Sequence, residues 1–117
     1  MAIDRNQLEG LNVSNVVTGE RLRPIHPGEI LREEFLIPLG MSAHALSMAL
    51  QVPAPRINDI VRERRAVTAD TALRLAKYFG TSVAFWTGLQ ADFDVTVARA
   101  AMTDALARIV SREAESV

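Results

Sequence analysis

Cysteine is absent from this chain of 117 residues. That excludes disulfides, a thiolate zinc finger and a thiol nucleophile, and it fits a reducing cytoplasm. Long apolar runs are missing too, the longest being far too short to cross a bilayer, so no membrane is expected. The opening residues, with Asp4, Arg5 and Asn6, lack the basic and apolar blocks of a secretory signal. Histidine is scarce: His26 and His44 are the only two, and their spacing is not that of a metal site such as H-x-x-x-H. The six glycines are scattered, so no glycine-rich loop cradles a phosphate. Glu33 and Glu34 are adjacent on a helix, and their carboxylates diverge. No enzyme class finds its residues here, and no cofactor or metal is expected.

A surplus of one charge is also lacking. Net charge is −1, whereas nucleic-acid-binding domains are often basic overall. Distribution matters more than the sum, because the local field attracts phosphates. Arg56, Arg62, Arg64 and Arg65 crowd one short segment, while acids gather towards both ends. Aromatics make up 5 % of the chain, and most lie between Tyr78 and Phe93, which marks a packing centre.

What is abundant is apolar residues at helical spacing, at 49 % of the chain. The length fits one domain. Residues 1–23 show no sustained period and are expected to be poorly ordered or partner-dependent. Pro24 and Pro27 punctuate the entry to the folded part, residues 24–94. Ile30, Leu31, Phe35 and Leu36 share one face of a helix that Pro38 and Gly40 are expected to end. Ser42 is a good N-cap for the next helix, which carries Leu46 and Leu50 among alanines. After Gln51 and Val52, Pro53 opens a third helix with Ile57, Ile60 and Val61 inward. Thr68 caps a fourth, with Leu73, Ala76 and Phe79 as its expected buried stripe and Gly80 as its stop. Ser82 starts a fifth. Residues 95–117 read as a helical extension to about Arg112. Strand signals are nearly absent, so the fold class is all-α.

Two short helices joined by a tight turn, the first slim and alanine-rich, describe a helix-turn-helix from Ala43 to Arg62. Leu46, Leu50, Val52, Ile57 and Ile60 fall where the motif locks its helices, and Ser47 where a small residue must sit. Gln51 occupies the turn position that usually holds glycine, so a left-handed conformation is expected there. The outer residues are those a DNA reader needs. Arg56 and Arg62 suit guanine, Asn58 adenine, and Asp59 the cytosine amino group. Pro53, Ala54 and Pro55 make a helix start without bulk that can approach thymine methyls. Arg64 and Arg65 in the following loop are placed for phosphates, and Ser42 and Thr68 at helix starts add to these.

The stretch from about Pro24 to Asp94 resembles the HigA (VapI-like) antitoxins of type II toxin–antitoxin modules, within the lambda-repressor-like (XRE) helix-turn-helix class. The residues carrying the resemblance begin with His26-Pro27-Gly28-Glu29-Ile30-Leu31, then Val52-Pro53 and Arg56-Ile57-Asn58-Asp59-Ile60. They continue with Arg64-Arg65, with Thr68 through Ala76, and with Tyr78-Phe79-Gly80-Thr81-Ser82, Phe85-Trp86 and Leu89-Gln90. The resemblance implies a five-helix core, a homodimer, repression of its own operon and neutralisation of a RelE-like ribonuclease toxin. Glu63 stands where some of the family carry glycine.

Two other readings remain open at this stage: a helix-turn-helix regulator without a toxin partner, and a protein-binding adaptor that has lost DNA recognition. Dimerisation has its own physical argument, because one recognition helix reads only a few base pairs and a palindromic operator offers two half-sites. Phe85, Trp86, Leu89 and Phe93 are the candidate interface, with the stripe Val97, Ala101, Met102 and Leu106. For Phe85 and Trp86 the competing role is to close the core of the monomer.

Overall fold

A computed structural model describes residues 23–115. The expectation for the segment before Arg23 lies outside the described residues. Those described form helices only, with no strand among them. Helix α1 runs from Pro27 to Leu39 in three contiguous parts: α-helical over Pro27–Ile30, π-type over Leu31–Leu36 and α-helical again over Ile37–Leu39. Pro38 thus lies inside the helix that it was expected to end. The wider π turn beside it relieves the clash a proline ring makes with the carbonyl one turn back. Gly40, at φ 62°, then closes the helix in the left-handed region.

Helices α2 (Ala43–Leu50) and α3 (Ala54–Val61) form the helix-turn-helix, followed by α4 (Ala69–Phe79) and α5 (Val83–Ala101). Three of their starts are capped by hydroxyls. Ser42, Thr68 and Ser82 accept from the backbone N–H groups of Ala45, Thr71 and Phe85, at 3.0, 3.4 and 3.0 Å. Gln51 ends α2 at φ 61°, ψ 47°, the strained conformation its position predicts. The core gathers Leu31 and Leu36 of α1, Leu46 and Leu50 of α2, and Ile57 and Ile60 of α3. Val67, Ala72, Leu75, Ala76 and Trp86 complete it. Leu73 is not part of this stripe: it is 58 % exposed. The inward side of α4 is instead Thr71, Ala72, Leu75 and Ala76, and a residue adjacent to Ala72 points about 100° away on a 3.6-residue helix.

Trp86, offered above to a dimer surface, is a core residue of the protomer. It is fully buried, its indole N–H donates to Thr81 Oγ1 at 2.7 Å, and its ring lies 5.1 Å from Phe35 and 4.9 Å from Phe85. Beyond Gln90, α5 runs off the core with mostly exposed side chains. The boundary expected between residues 94 and 95 therefore falls within one continuous helix. The extension breaks at Met102 before α6 (Thr103–Ala107), and again before α7 (Arg112–Glu115). Without a core to pack on, the apolar spacing there does not sustain one long helix.

His26 begins α1. Its Nδ1 accepts from the Gly28 N–H at 2.8 Å, and its ring meets Phe93 edge-on at 4.8 Å. Burial pushes its pKa below the ordinary 6.5, against the smaller opposing effects of Glu63 and Asp94. An acceptor nitrogen must be unprotonated, so the cap needs the neutral ring. Below pH 6.5 the unfolded chain binds a proton that the fold refuses. Stability is therefore complete above that pH and is lost as pH falls towards the lowered folded value. Thermal midpoints measured from pH 7.5 down to pH 5 should fall more steeply for the natural chain than for His26→Asn, whose amide oxygen still caps.

Candidate nucleic-acid interface

Helix α3 buries Ile57 and Ile60 and turns Pro55, Asn58, Asp59 and Arg62 outward at three- and four-residue steps. Pro53 is its N-cap, at φ −62°, ψ 143°, so the helix begins at Ala54, one residue later than expected. Two left-handed residues bracket it, Gln51 before and Glu63 after, the latter at φ 63°. The glycine-like conformation at position 63 is thus taken by a glutamate. Arg32 of α1 braces this end: its guanidinium donates to the Val61 carbonyl and to Glu63 Oε2, the latter at 3.2 Å. Such ties hold the final turn of α3, whose carbonyls have no helical partner.

The arginines divide into two groups. Arg56 Nη1 donates to Asp70 Oδ1 at 2.7 Å, and Arg65 Nη2 to Asp59 Oδ2 at 3.2 Å. Arg62 and Arg64 are exposed and make no ion pair among the described residues. The loop holding them is closed by backbone bonds, Arg62 N–H to Asn58 O at 3.1 Å and Arg64 N–H to Asp59 O at 2.8 Å. The Asn58 side chain, half-buried, likewise has no hydrogen-bond partner among the described residues. Arg56, Arg65, Ala66, Thr68 and Thr71 line a small cleft of about 130 Å³ between α3 and the start of α4.

The structure thus brings Arg56, Arg65 and Thr68 to one cleft, places Asn58, Asp59 and Arg62 on the outward side of α3, and leaves Arg64 exposed in the loop that follows. Pro53, Ala54 and Pro55 lead into it. Ser42 stands apart, at the start of α2. Sequence reasoning missed Asp70, whose Oδ1 accepts from both Arg56 and Arg74 Nε, and Arg74, which donates to the Leu50 carbonyl at 2.8 Å. The four-residue step from Asp70 to Arg74 was the available signal. Gln90, which accepts the Val67 N–H at 2.7 Å and so fixes the loop before α4, was missed as well. Among the described residues no cluster of His, Asp or Glu can hold a metal, and no helix is long and apolar enough to cross a membrane.

The interface residues foreseen for a dimer separate by depth. Leu89 packs half-buried on the core and Phe93 on His26. Phe85, Val97, Ala101, Met102 and Leu106 are exposed, as are Val95, Ile109 and Val110.

Comparison with known proteins gives this geometry a context. The family described as Helix-turn-helix matches residues 31–86. Virulence-associated protein I of Dichelobacter nodosus is 60 % identical over 63 % of this chain and 68 % of its own length. The solved structure of the Pseudomonas aeruginosa antitoxin HigA with the higBA promoter superposes with a TM-score of 0.74 at 49 % identity. The match covers 77 % of this chain and 98 % of that one. Antitoxin GraA in complex with its operator matches at 49 % identity and a TM-score of 0.72, over 78 % of this chain and 92 % of that one.

Proposed function

This chain belongs to the HigA family of helix-turn-helix antitoxins, and we propose that it is a cytoplasmic, non-enzymatic repressor that binds its own operator as a homodimer and neutralises a RelE-like ribonuclease toxin. The observation that carries the DNA reading is the outer side of α3. Asn58 on that side, and Arg62 and Arg64 at and beyond the end of the helix, have side chains without internal partners among the described residues, and Pro53, Ala54 and Pro55 leave the helix start free of bulk. Relatives of this fold bind promoter or operator DNA. The base contacts are assigned to Arg56, Asn58, Asp59 and Arg62, with Pro53, Ala54 and Pro55 against thymine methyls. Arg64, Arg65, Ser42 and Thr68 take phosphates. Fluorescence anisotropy against the DNA upstream of its own gene, over a salt series and with scrambled DNA as control, tests the reading. Preference for the native sequence with steep loss in salt supports it. Equal binding to both at every salt overturns it in favour of a protein-binding adaptor.

The dimer is assigned to the exposed apolar residues of α5 and α6, where Val97, Ala101, Met102 and Leu106 have no core to join. Phe85 extends the patch, Leu89 and Phe93 contribute their exposed edges, and Trp86 is spent inside the protomer. Sedimentation at micromolar concentration should give a dimer for the natural chain. Val97→Asp with Met102→Asp should give a folded monomer that binds the operator at least about tenfold more weakly, having lost the second half-site. A natural chain that sediments only as monomer sinks this assignment. Rescue of growth when the chain is co-expressed with a neighbouring small basic open reading frame tests the antitoxin role.

A further inference from the structure

The geometry points to Asp70 as a specificity-determining residue of the DNA interface, a carboxylate that holds Arg56 back from the groove unless a base offers two acceptors at once. This rests on the DNA-binding reading above. Arg56 is in the first turn of α3, the part of a recognition helix that reaches base edges. It is the arginine best placed to read a guanine, yet its Nη1 donates to Asp70 Oδ1 at 2.7 Å.

That same oxygen also accepts from Arg74 Nε at 2.8 Å, and Arg74 Nη1 is anchored on the Leu50 carbonyl at the end of α2. Asp70 therefore keeps a partner whether Arg56 stays or leaves. Both guanidiniums, Arg74 the more strongly, hold the Asp70 carboxyl below the usual carboxylate range, so its charge persists at neutral pH. Arg56 has no other side-chain partner among the described residues. When it swings out, no buried charge is orphaned and α4 stays pinned to α2.

The balance of the exchange depends on what waits in the groove. An exposed ion pair shifts an equilibrium by no more than about fivefold. A phosphate offers Arg56 a contact of the same kind as the carboxylate it already has, and so gains little. A guanine accepts two parallel bonds at O6 and N7, which discriminates by roughly fivefold to a hundredfold. Only the correct base outbids Asp70. The carboxylate is also 56 % exposed beside the cleft between Arg56 and Thr68, where its charge repels phosphates. Arg64, assigned to a phosphate and under no such restraint, is left to hold any DNA sequence.

The test is anisotropy of full-length protein with operator and scrambled duplexes, in a cycle of natural chain, Asp70→Asn, Arg56→Ala and the double variant. Asp70→Asn should bind scrambled DNA roughly two- to fivefold more tightly. Its salt slope there should steepen by about one, as Arg56 takes a phosphate. Operator binding should change by less, so that sequence preference falls. In the Arg56→Ala background most of the gain should vanish. An equal gain in both backgrounds makes Asp70 a plain repelling charge and overturns the inference. So does unchanged scrambled binding. Thermal melting checks each fold, and Asp70→Ser, a residue at home in a first helical turn, replaces Asp70→Asn if that variant unfolds. A natural chain without operator preference overturns the repressor reading and this inference with it. Preserved preference with additive variants overturns the inference alone.

Discussion

Replacing Gly28 by alanine should lower the thermal midpoint by roughly 10–20 °C, the effect of about 2–3 kcal/mol in a domain of this size. Gly28 lies in the first turn of α1, capped by His26, and its Cα faces the last turn of α3. A Cβ built there overlaps the backbone carbonyl of Ile60 and crowds the His26 ring. Neither neighbour is a flexible side-chain end, so one helix must move. Ile60 is fully buried, and the carbonyl after it, that of Val61, is held by Arg32. Movement at Ile60 therefore propagates into the recognition helix, and operator binding should weaken along with stability. Gly88 is the control. It sits within α5 with open space around its Cα, so Gly88→Ala should raise stability by about 0.5–1 kcal/mol through helix propensity. Circular dichroism melts of the two variants decide the matter. A Gly28→Ala midpoint within a few degrees of the natural chain would mean that α1 does not seat on α3 at this point.

Gly28 also marks where legibility in the sequence stops. Local chemistry was readable: Ser42, Thr68 and Ser82 cap the helices they were expected to cap, and Gln51 takes the left-handed turn its place in the motif demands. Ser47, expected where two helices nearly touch, is 1 % exposed. Each of those residues acts on backbone within a few positions of itself. The ties that shape the interface act at long range instead. Arg32 reaches Val61, Arg74 reaches Leu50 and Arg56 reaches Asp70, and no local rule says which surface arginine turns towards which carbonyl or carboxylate. Depth was hidden for a related reason. In α5, Val83, Phe85, Trp86, Leu89 and Phe93 leave little polar face by which to tell inside from outside. Only packing against Phe35 and Phe79 places Trp86 in the core. Pro38 shows the converse. Its local rule is sound, but a single π turn was enough to absorb it.

The double substitution Arg62→Ala with Arg64→Ala should weaken operator binding by about a hundredfold while leaving the fold intact. Each lost contact to a base or phosphate is worth roughly 1–3 kcal/mol, and two of them at the lower middle of that range give this factor. The reason for singling out this pair is internal. Arg56 and Arg65 must leave Asp70 and Asp59 before they touch DNA, so part of any contact they make is offset. Arg62 and Arg64 leave no carboxylate behind, so their contacts are opposed by desolvation and side-chain entropy but not by the loss of an ion pair. Their backbone is already fixed by the bonds to Asn58 and Asp59, so the loop does not have to order on binding. The two should also separate by kind. Arg64→Ala alone is expected to weaken operator and scrambled DNA equally and to reduce the salt slope by about one. Arg62→Ala alone should fall more heavily on the operator, because Arg62 ends the outward row of α3 to which the base contacts are assigned. Anisotropy titrations at several salt concentrations read both effects, and unchanged melting confirms that the exposed side chains carry no folding role. Operator affinity within about twofold of the natural chain would remove this pair from the interface. It would shift the burden to Arg56 and Arg65, and binding would then have to begin by breaking the ion pairs that now restrain them.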